Sequence, residues 1–222
     1  MTGELVPGQR LPTETLLAAD HGVSRATIRE ALRLLAAQNL IKTAKGATGG
    51  SYVTRPSPDH LSESLRSGIG LLAEAEDVSL EELLEVREVL EVPAARLAAL
   101  RRHEEDLDGL RASIPPSPLR LGTDEQFDFN RNFHSIVIDL SGNTLLSIAA
   151  QPVFSVLQTK LARSKLGPRF HRAINDHHRS IAAAIGAGDG DAAGAEMLAH
   201  LEYLRPFYEK AWRHHRSLAR AR

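Results

Sequence analysis

Three arginines stand four residues apart in the stretch GVSRATIREALRLL, residues 22–35: Arg25, Arg29 and Arg33. Residues at i, i+4 and i+8 lie on one side of an α-helix, so this spacing predicts a cationic helix face. Such a face can bind phosphate oxygens and the edges of guanine, to which arginine donates two hydrogen bonds at once. A row of arginines that only solvates a helix surface is the commoner alternative, and the surrounding elements must decide between the two.

Histidines are the second group that could do chemistry, because the chain has 10 of them and no cysteine. His178 lies 11 residues before Asp189 and His200 lies 11 residues after it, so both would be level in an antiparallel helical hairpin. Asn130 and His134 are i, i+4 neighbours on another predicted helix. These four side chains can converge inside a helical bundle, where neutral imidazoles bind Zn²⁺, Ni²⁺ or a similar ion. Spacing alone leaves this open, since a single histidine is more often a surface or hydrogen-bonded residue.

The elements around the arginine row predict a winged helix-turn-helix. Thr13 can cap a short helix in LPTETLLAAD, and Gly22 can adopt the left-handed conformation of a tight turn. Ser24 is a suitable N-cap for the next helix, and the buried stripe of that helix is expected to be Ile28, Ala31, Leu32 and Leu35. NLIKTAKGATGGSYVT then has two short apolar runs around a glycine-rich tip, which predicts a β-hairpin wing.

The rest of the chain has helical periodicity and no strand pattern after residue 60. TRPSPDH predicts a boundary, because two prolines stand among small polar residues. We therefore predict a DNA-binding domain over 1–55, a linker over 56–62 and an all-α domain over 63–216. Capping boxes are predicted at two helix starts: Ser79 with Glu82 and Thr123 with Gln126. Pro93 is expected to kink or interrupt its helix, and Pro152 is expected to interrupt a later one.

Composition and charge limit the class of protein. The 222 residues are 42% hydrophobic and 25% charged, which is typical of a soluble globular chain. No apolar run reaches the roughly 20 residues that span a bilayer, and no secretory signal is evident, so we expect a cytoplasmic protein and no membrane partner. Residues 1–55 carry a net charge of +3 and residues 56–222 a net charge of −4. A basic head suggests a polyanionic partner, although ordinary fluctuation explains the charge equally well.

Two segments, PGQRLPTETLLAADHGVSRATIREALRLLAAQNLI and KGATGGSYV, resemble the DNA-binding domain of the GntR family of winged helix-turn-helix regulators. The resemblance implies operator contacts from the helix and the wing: Ser24, Arg25, Thr27, Arg29, Gly49 and Gly50. Thr15 stands where the family usually has an arginine that adds a DNA contact. Members of the family have a further helix before the first segment. This chain begins with Met1, so we expect that first helix to be missing or the start codon to lie upstream, and DNA binding to be weak.

Three further segments, LLEVREVLEVPAARLAAL, NRNFHSIVIDLSGNTLL and HRSIAAAIGAGDGDAAGAEMLAHL, resemble the FCD effector domain of the FadR subfamily. In its metal-binding members an aspartate and three histidines hold the ion, and the matching positions are Asn130, His134, His178 and His200. The amide of Asn130 is a weaker, uncharged ligand in place of the aspartate. The histidines that match no ligand position are expected on the surface: His171, His177, His214 and His215.

Arg87 matches an arginine that faces the effector pocket in this family. A metal with open positions and a guanidinium together would suit a small carboxylate effector. The alternative is that Arg87 pairs with Glu91 at i+4 on a solvated helix face.

The fold class predicted is therefore mostly α, with an N-terminal winged helix-turn-helix and a C-terminal all-α FCD bundle. The predicted function is a ligand-responsive transcriptional regulator, a repressor that binds a palindromic operator in double-stranded DNA as a homodimer. A small carboxylate effector and a divalent metal ion, zinc or nickel, are expected in the helical domain. The alternative is a His-liganded metalloenzyme fused to a DNA-binding module, but the histidines have no HExxH-type arrangement. A helical interaction module would leave the winged helix without a purpose.

Overall fold

The computed structural model describes residues 5–46, 49–116, 121–162 and 166–219. The chain divides into two compact units, residues 1–60 and residues 61–222. The described elements are mostly α-helices, with one two-stranded antiparallel hairpin, so the predicted fold class is confirmed. No helix in these ranges is both long and apolar enough to cross a membrane.

The first unit contains two helices and the hairpin, and the predicted caps are present. Its elements are α1 (Glu14–His21), α2 (Arg25–Ala37), β1 (Ile41–Ala44) and β2 (Gly50–Val53). The Thr13 side chain accepts a hydrogen bond from the Leu16 N–H, and Gly22 ends α1 with a left-handed φ of 63°. Ser24 Oγ accepts from the Thr27 N–H at 3.1 Å and so begins α2. These caps set the turn between the two helices.

The buried side of α2 is narrower than the sequence predicts. Ile28 is buried, Leu32 and Leu35 are half-buried, and Ala31 is exposed. The assignment of Ala31 to the buried stripe was therefore wrong. Helix α1 and strand β1 pack on α2 within this unit and cover the Ile28 side of the helix.

The wing is held together by backbone pairing and by close approach at its glycines. Strand β1 pairs with β2 from Ile41 opposite Val53 to Ala44 opposite Gly50. A Cβ atom added at Gly49 would lie 2.6 Å from the Ala44 carbonyl oxygen and 2.8 Å from that of Gly46. The Arg10 side chain donates a hydrogen bond to the Gly49 carbonyl. Gly49 is thus required by the turn itself, whatever the wing binds.

The second unit is all-α in its described part. Its helices are α3 (Pro58–Glu74), α4 (Leu80–Arg101), α5 (Asp106–Ala112), α6 (Thr123–Leu140), α7 (Thr144–Ala162), α8 (Pro168–Ala187) and α9 (Gly190–Ala219). Helix α3 begins at Pro58, because proline is well suited to the first helical position. Residues 58–62 of the predicted linker are therefore helical.

The capping box at Ser79 is confirmed, whereas the one at Thr123 and the interruptions expected at Pro93 and Pro152 were wrong. Helices α4 and α7 continue through Pro93 and Pro152. The packing of α4 on α9 and of α7 on α6 offsets the backbone hydrogen bond that each proline removes. The Ser79–Glu82 capping box is present. The second box is shifted by one residue, because Glu125 accepts from the N–H of Gly122, which is the N-cap.

Helix α4 lies at the centre of the bundle and packs on α6, α7, α8 and α9. Four alanines face the interior and are almost completely buried: Ala94, Ala95, Ala98 and Ala99. Such small side chains allow neighbouring helices to approach closely. Large side chains from α6, α8 and α9, among them Phe133, Ile181 and Met197, fill the space around them. This arrangement places the inward face of α4 against the polar residues described below.

We expect Gly49→Ala to destabilise the wing by about 1–3 kcal/mol, because the added methyl group overlaps two backbone carbonyls that cannot rotate away. Hydrogen exchange across residues 41–53 measures the effect. Ser51→Ala is the matched control, since Ser51 lies on β2 and its change adds no atoms. Equal protection in Gly49→Ala and the wild-type chain would contradict this account of the turn.

Candidate functional site

Three histidines from three helices meet in the interior of the bundle, and we call them the histidine cluster: His134 on α6, His178 on α8 and His200 on α9. Each is at most 1% exposed. One potential ligand atom from each side chain lies within 4.8 Å of the other two. Helices α8 and α9 pack together after Gly188, whose φ of 74° ends α8 in the left-handed conformation. The structure therefore brings together the three histidines that the sequence singled out.

Aromatic rings surround the histidine cluster and exclude water from it. The ring of Phe133 stacks on His178, with centroids 3.9 Å apart, and Phe154 lies 4.6 Å from the His134 ring. Burial in this apolar setting lowers the pKa of His178 and of His200 well below 6.5, because it disfavours the imidazolium form. Burial also lowers the pKa of His134, against the opposing charge of Glu91. All three rings are therefore neutral near pH 7, the form that binds metals.

Several polar atoms at the site lack a partner, and they test whether the residues fit a metal ion. In the described part of the chain, Asn130 Oδ1, His178 Nε2 and His200 Nδ1 are buried without a hydrogen bond. A buried unsatisfied polar atom costs about 1–3 kcal/mol, so a ligand that accepts their lone pairs would be stabilising. An amide oxygen and neutral imidazoles are suitable donors for a borderline divalent ion. The residues present therefore fit a metal such as zinc or nickel.

A buried ion pair lies directly beside the cluster. Arg87 and Glu91 on α4 are 2% and 1% exposed, and Arg87 Nε donates to Glu91 Oε1 at 2.6 Å. Burial by itself raises the pKa of Glu91, but the charge of Arg87 and the hydrogen bonds from His134 and Arg87 outweigh it and lower that pKa to about 2. The i+4 pair considered as an alternative thus exists, although it lies in the core and not on a solvated face.

Both members of this pair also contact other helices. Glu91 Oε2 lies 2.6 Å from His134 Nδ1, and Arg87 Nη1 donates to the Tyr208 hydroxyl at 2.9 Å. Sequence reasoning missed the contact between Glu91 and His134. The available signal was the helical spacing, which puts Arg87 and Glu91 on the same face as the buried Leu84 and Ala98.

A small cavity of about 20 Å³ opens between α6 and α8 on one side of the cluster. Its lining includes Asn130 and His178, together with Phe127, Phe170, His171 and Asn175.

The expectation that His171 lies on the surface was wrong. It is 9% exposed, since its ring packs edge-on against two phenylalanines, Phe127 and Phe170. His177 is half-buried, with its ring 5.6 Å from that of His200. The side chains of His214 and His215 lie outside the described residues.

The predicted DNA-contacting side chains of α2 are all exposed: Ser24, Arg25, Thr27 and Arg29. Arg29 pairs with Glu14 of α1, with Nη2 and Oε2 2.7 Å apart. This pair raises the pKa of Arg29 and lowers that of Glu14, chiefly through the side-chain hydrogen bond between them. Gly49 and Gly50 lie at the end of the wing beside residues 47–48, which are outside the described residues.

Known proteins resemble the chain over nearly its whole length. Residues 1–53 match the bacterial regulatory proteins of the gntR family, and residues 82–203 match the FCD domain. The HTH-type transcriptional regulator LutR of Bacillus subtilis (strain 168) is 34% identical over 209 residues, which cover 90% of this chain and 91% of LutR. A putative L-lactate dehydrogenase operon regulatory protein of Escherichia coli (strain K12) is 29% identical over 224 residues, 96% of this chain and 84% of that protein.

Among solved structures, Streptococcus agalactiae GntR is similar to the chain, with a TM-score of 0.57, 26% identity and coverage of 91% of this chain and 92% of the other. The families and relatives matched are transcriptional regulators and not enzymes. The metalloenzyme alternative was therefore wrong.

We expect the metal-free protein to lose stability as the pH falls below about 6.5, the ordinary pKa of histidine. In the unfolded chain His178 and His200 bind protons below that pH, whereas in the folded chain their lowered pKa values keep them neutral. The unfolded state then binds more protons, so the free energy of unfolding falls by up to about 1.4 kcal/mol per pH unit for each histidine. Urea denaturation in EDTA between pH 7.5 and 5 measures the slope. His178→Gln should make it shallower, and a flat profile in the wild-type chain would contradict the burial of neutral imidazoles.

Proposed function

The chain belongs to the GntR family of bacterial regulatory proteins and carries an FCD domain, and from this we propose that it is a metal-dependent, effector-controlled repressor. As a member of this family, the chain is a transcriptional regulator. The proposal adds that a small carboxylate bound at a divalent metal releases the protein from its operator. The observation that carries the proposal is the buried histidine cluster beside the unpartnered Asn130 amide oxygen.

We propose that α2 reads the operator from the major groove. Ser24 is its N-cap, and Arg25 and Thr27 lie in its exposed first turn, where a recognition helix contacts base edges. Arg25 has no carboxylate within salt-bridge distance in the described ranges, whereas Arg29 is engaged with Glu14. Arg25 is therefore the more available donor for a guanine or a phosphate. The wing would approach the minor groove with Gly49 and Gly50, as the family resemblance implies.

The proposed metal ligands are the histidine cluster and Asn130, and zinc or nickel is the proposed ion. Such an ion would supply a positive charge and open coordination positions for a carboxylate. Arg87 is the candidate second anchor for that carboxylate. One hydrogen bond from each of its three nitrogens is directed to Glu91, Tyr208 or His134. Since a guanidinium has five N–H donors, two remain for an effector.

The proposed effector is a small 2-hydroxycarboxylate, and L-lactate is the first compound to test. Support comes from the relative named as a putative L-lactate dehydrogenase operon regulatory protein. The cavity beside the cluster, about 20 Å³, has room for only one or two water molecules. A carboxylate would therefore enter with movement of the side chains that line it, which is a means of coupling effector binding to a change in the bundle.

We propose that the second unit forms the homodimer through the outer face of α4. Val86, Val89 and Leu100 on this face are 43%, 70% and 68% exposed. The helix begins with several glutamates and ends with arginines: Glu81, Glu82, Glu85 and Glu88, then Arg96 and Arg101. Two copies packed antiparallel would therefore set acidic ends against basic ends around an apolar centre. A two-fold dimer suits a palindromic operator with half-sites about one helical turn apart.

We expect Arg25→Ala to weaken binding of the operator by about 1–3 kcal/mol, because the guanidinium would contact a base edge or a phosphate. Fluorescence anisotropy with a palindromic fragment from the protein's own promoter, at fixed salt, measures the affinity and the number of chains bound. Arg33→Ala is the matched control, since Arg33 lies two turns further along α2 and pairs with Glu30. Arg29→Ala should weaken binding in the same direction as Arg25→Ala. Wild-type affinity in Arg25→Ala would remove α2 from the DNA interface.

We expect one divalent ion per chain after purification without a nickel column, and its loss in His200→Ala, because that ring lies within the cluster. Asn130→Asp should bind the ion more tightly, since it replaces a neutral oxygen ligand by a charged one. Elemental analysis and chelator competition measure both effects. L-lactate should release the operator only from metal-loaded protein. A wild-type chain that neither contains nor binds zinc or nickel would contradict the metal part of the proposal.

A further inference from the structure

Glu91 does not line the cavity. Its contact with the proposed metal ligands is the one between its Oε2 and His134 Nδ1. We propose that Glu91 is a positioning residue of the metal centre, which holds the proton of His134 on Nδ1 and so presents the Nε2 lone pair to the ion. This inference rests on the proposed function, because it takes the histidine cluster to be a metal site.

The tautomer of His134 follows from the chemistry of Arg87 and Glu91, which can each take only one role in a hydrogen bond. Arginine can only donate hydrogen bonds, and Arg87 Nη2 lies 3.4 Å from His134 Nε2, so Nε2 is the accepting nitrogen. His200 Nε2 lies 3.2 Å from the same nitrogen and must then be the N–H that donates to it. A neutral imidazole whose Nε2 accepts carries its proton on Nδ1. Nδ1 lies 2.6 Å from Glu91 Oε2, and an ionised carboxylate can only accept. Arg87 and Glu91 therefore select the same tautomer of His134, and the contact with His200 is compatible with it.

Glu91 is itself held so that it can orient the ring. Its other oxygen, Oε1, accepts from Arg87 Nε at 2.6 Å, and the side chain is 1% exposed. Arg87 is anchored in turn by the Tyr208 hydroxyl and by the ring of Phe154, whose centroid lies 4.9 Å from the guanidinium carbon. The carboxylate is thus held at Oε1 by Arg87 of α4 and at Oε2 by His134 of α6, while α9 holds Arg87 through Tyr208.

His134 differs in this respect from the other two members of the cluster. In the described ranges, His178 Nε2 and His200 Nδ1 have no hydrogen-bond partner. The proposed ligands, three neutral histidines and Asn130, are all uncharged. Glu91 is therefore the carboxylate that fixes the orientation and the tautomer of one of them, His134. Carboxylates behind metal-binding histidines raise the basicity of the ligand, and their removal commonly weakens metal binding 10- to 100-fold.

The test compares Glu91→Gln with Tyr208→Phe in the full-length chain. Glu91→Gln keeps the shape of the side chain but can either donate to Nδ1 or accept from it, so zinc affinity should fall about 10- to 100-fold. Tyr208→Phe removes a partner of Arg87 without touching His134, and its zinc affinity should stay within about threefold of wild type. Competition with a chromophoric chelator measures both values. If Glu91 served only as the counter-ion of Arg87, Glu91→Gln would unfold more readily but bind zinc with wild-type affinity.

A second measurement does not depend on the variant folding. Ring nitrogen chemical shifts of the zinc-free wild-type protein, with the His134 ring assigned through its own backbone amide, should show protonation at Nδ1 only. Protonation at Nε2 would overturn the proposal. Equal zinc affinity in the wild-type chain and Glu91→Gln would overturn the role of Glu91 alone, whereas a wild-type chain without zinc affinity would overturn the metal centre and with it this role.

Discussion

The ion pair between Arg87 and Glu91 is buried in the middle of a helical bundle, and the organisation of the second unit depends on satisfying it. Two charges removed from water are stabilising only if further hydrogen bonds compensate for the lost hydration. Here the compensation comes from His134 and Tyr208, which lie on two other helices. The pair therefore requires α4, α6 and α9 to meet in one register, and the same register brings the histidines together.

The apolar packing around the histidine cluster determines the protonation state of its rings. Close packing by alanines of α4 and aromatic rings of α6 and α7 excludes water, which keeps the imidazoles neutral and their lone pairs available. Among the described residues, the same exclusion leaves Asn130 Oδ1, His178 Nε2 and His200 Nδ1 without a hydrogen-bond partner. If the proposed ion binds here, it would satisfy these atoms without a change in the protonation of the rings. The proposed effector, bound to that ion, would then act at the point where the helices meet.

Charge acts differently in the winged helix-turn-helix. The pair between Arg29 and Glu14 lies in solvent, where an ion pair contributes little to stability and is screened by salt. The pair instead fixes the orientation of the Arg29 side chain, because it holds the guanidinium toward α1. Arg25 stays available at the start of α2. The glycines of the wing are likewise set first by backbone geometry, as the contacts around Gly49 show.

Local signals in the sequence determined the caps at Thr13, Ser24 and Ser79, the arginine face of α2 and the candidate histidines, because each depends on residues within one or two turns of the same element. The resemblance to two families added the division into a winged helix and an FCD bundle. Tertiary structure alone decided that α4 runs through Pro93 and that His171 is buried, since packing from distant helices outweighs local propensity there. It also decided the contact of Glu91 with His134, 43 positions apart in sequence. Spacing on one helix can show that two residues share a face, but only the packing of three helices shows what that face meets.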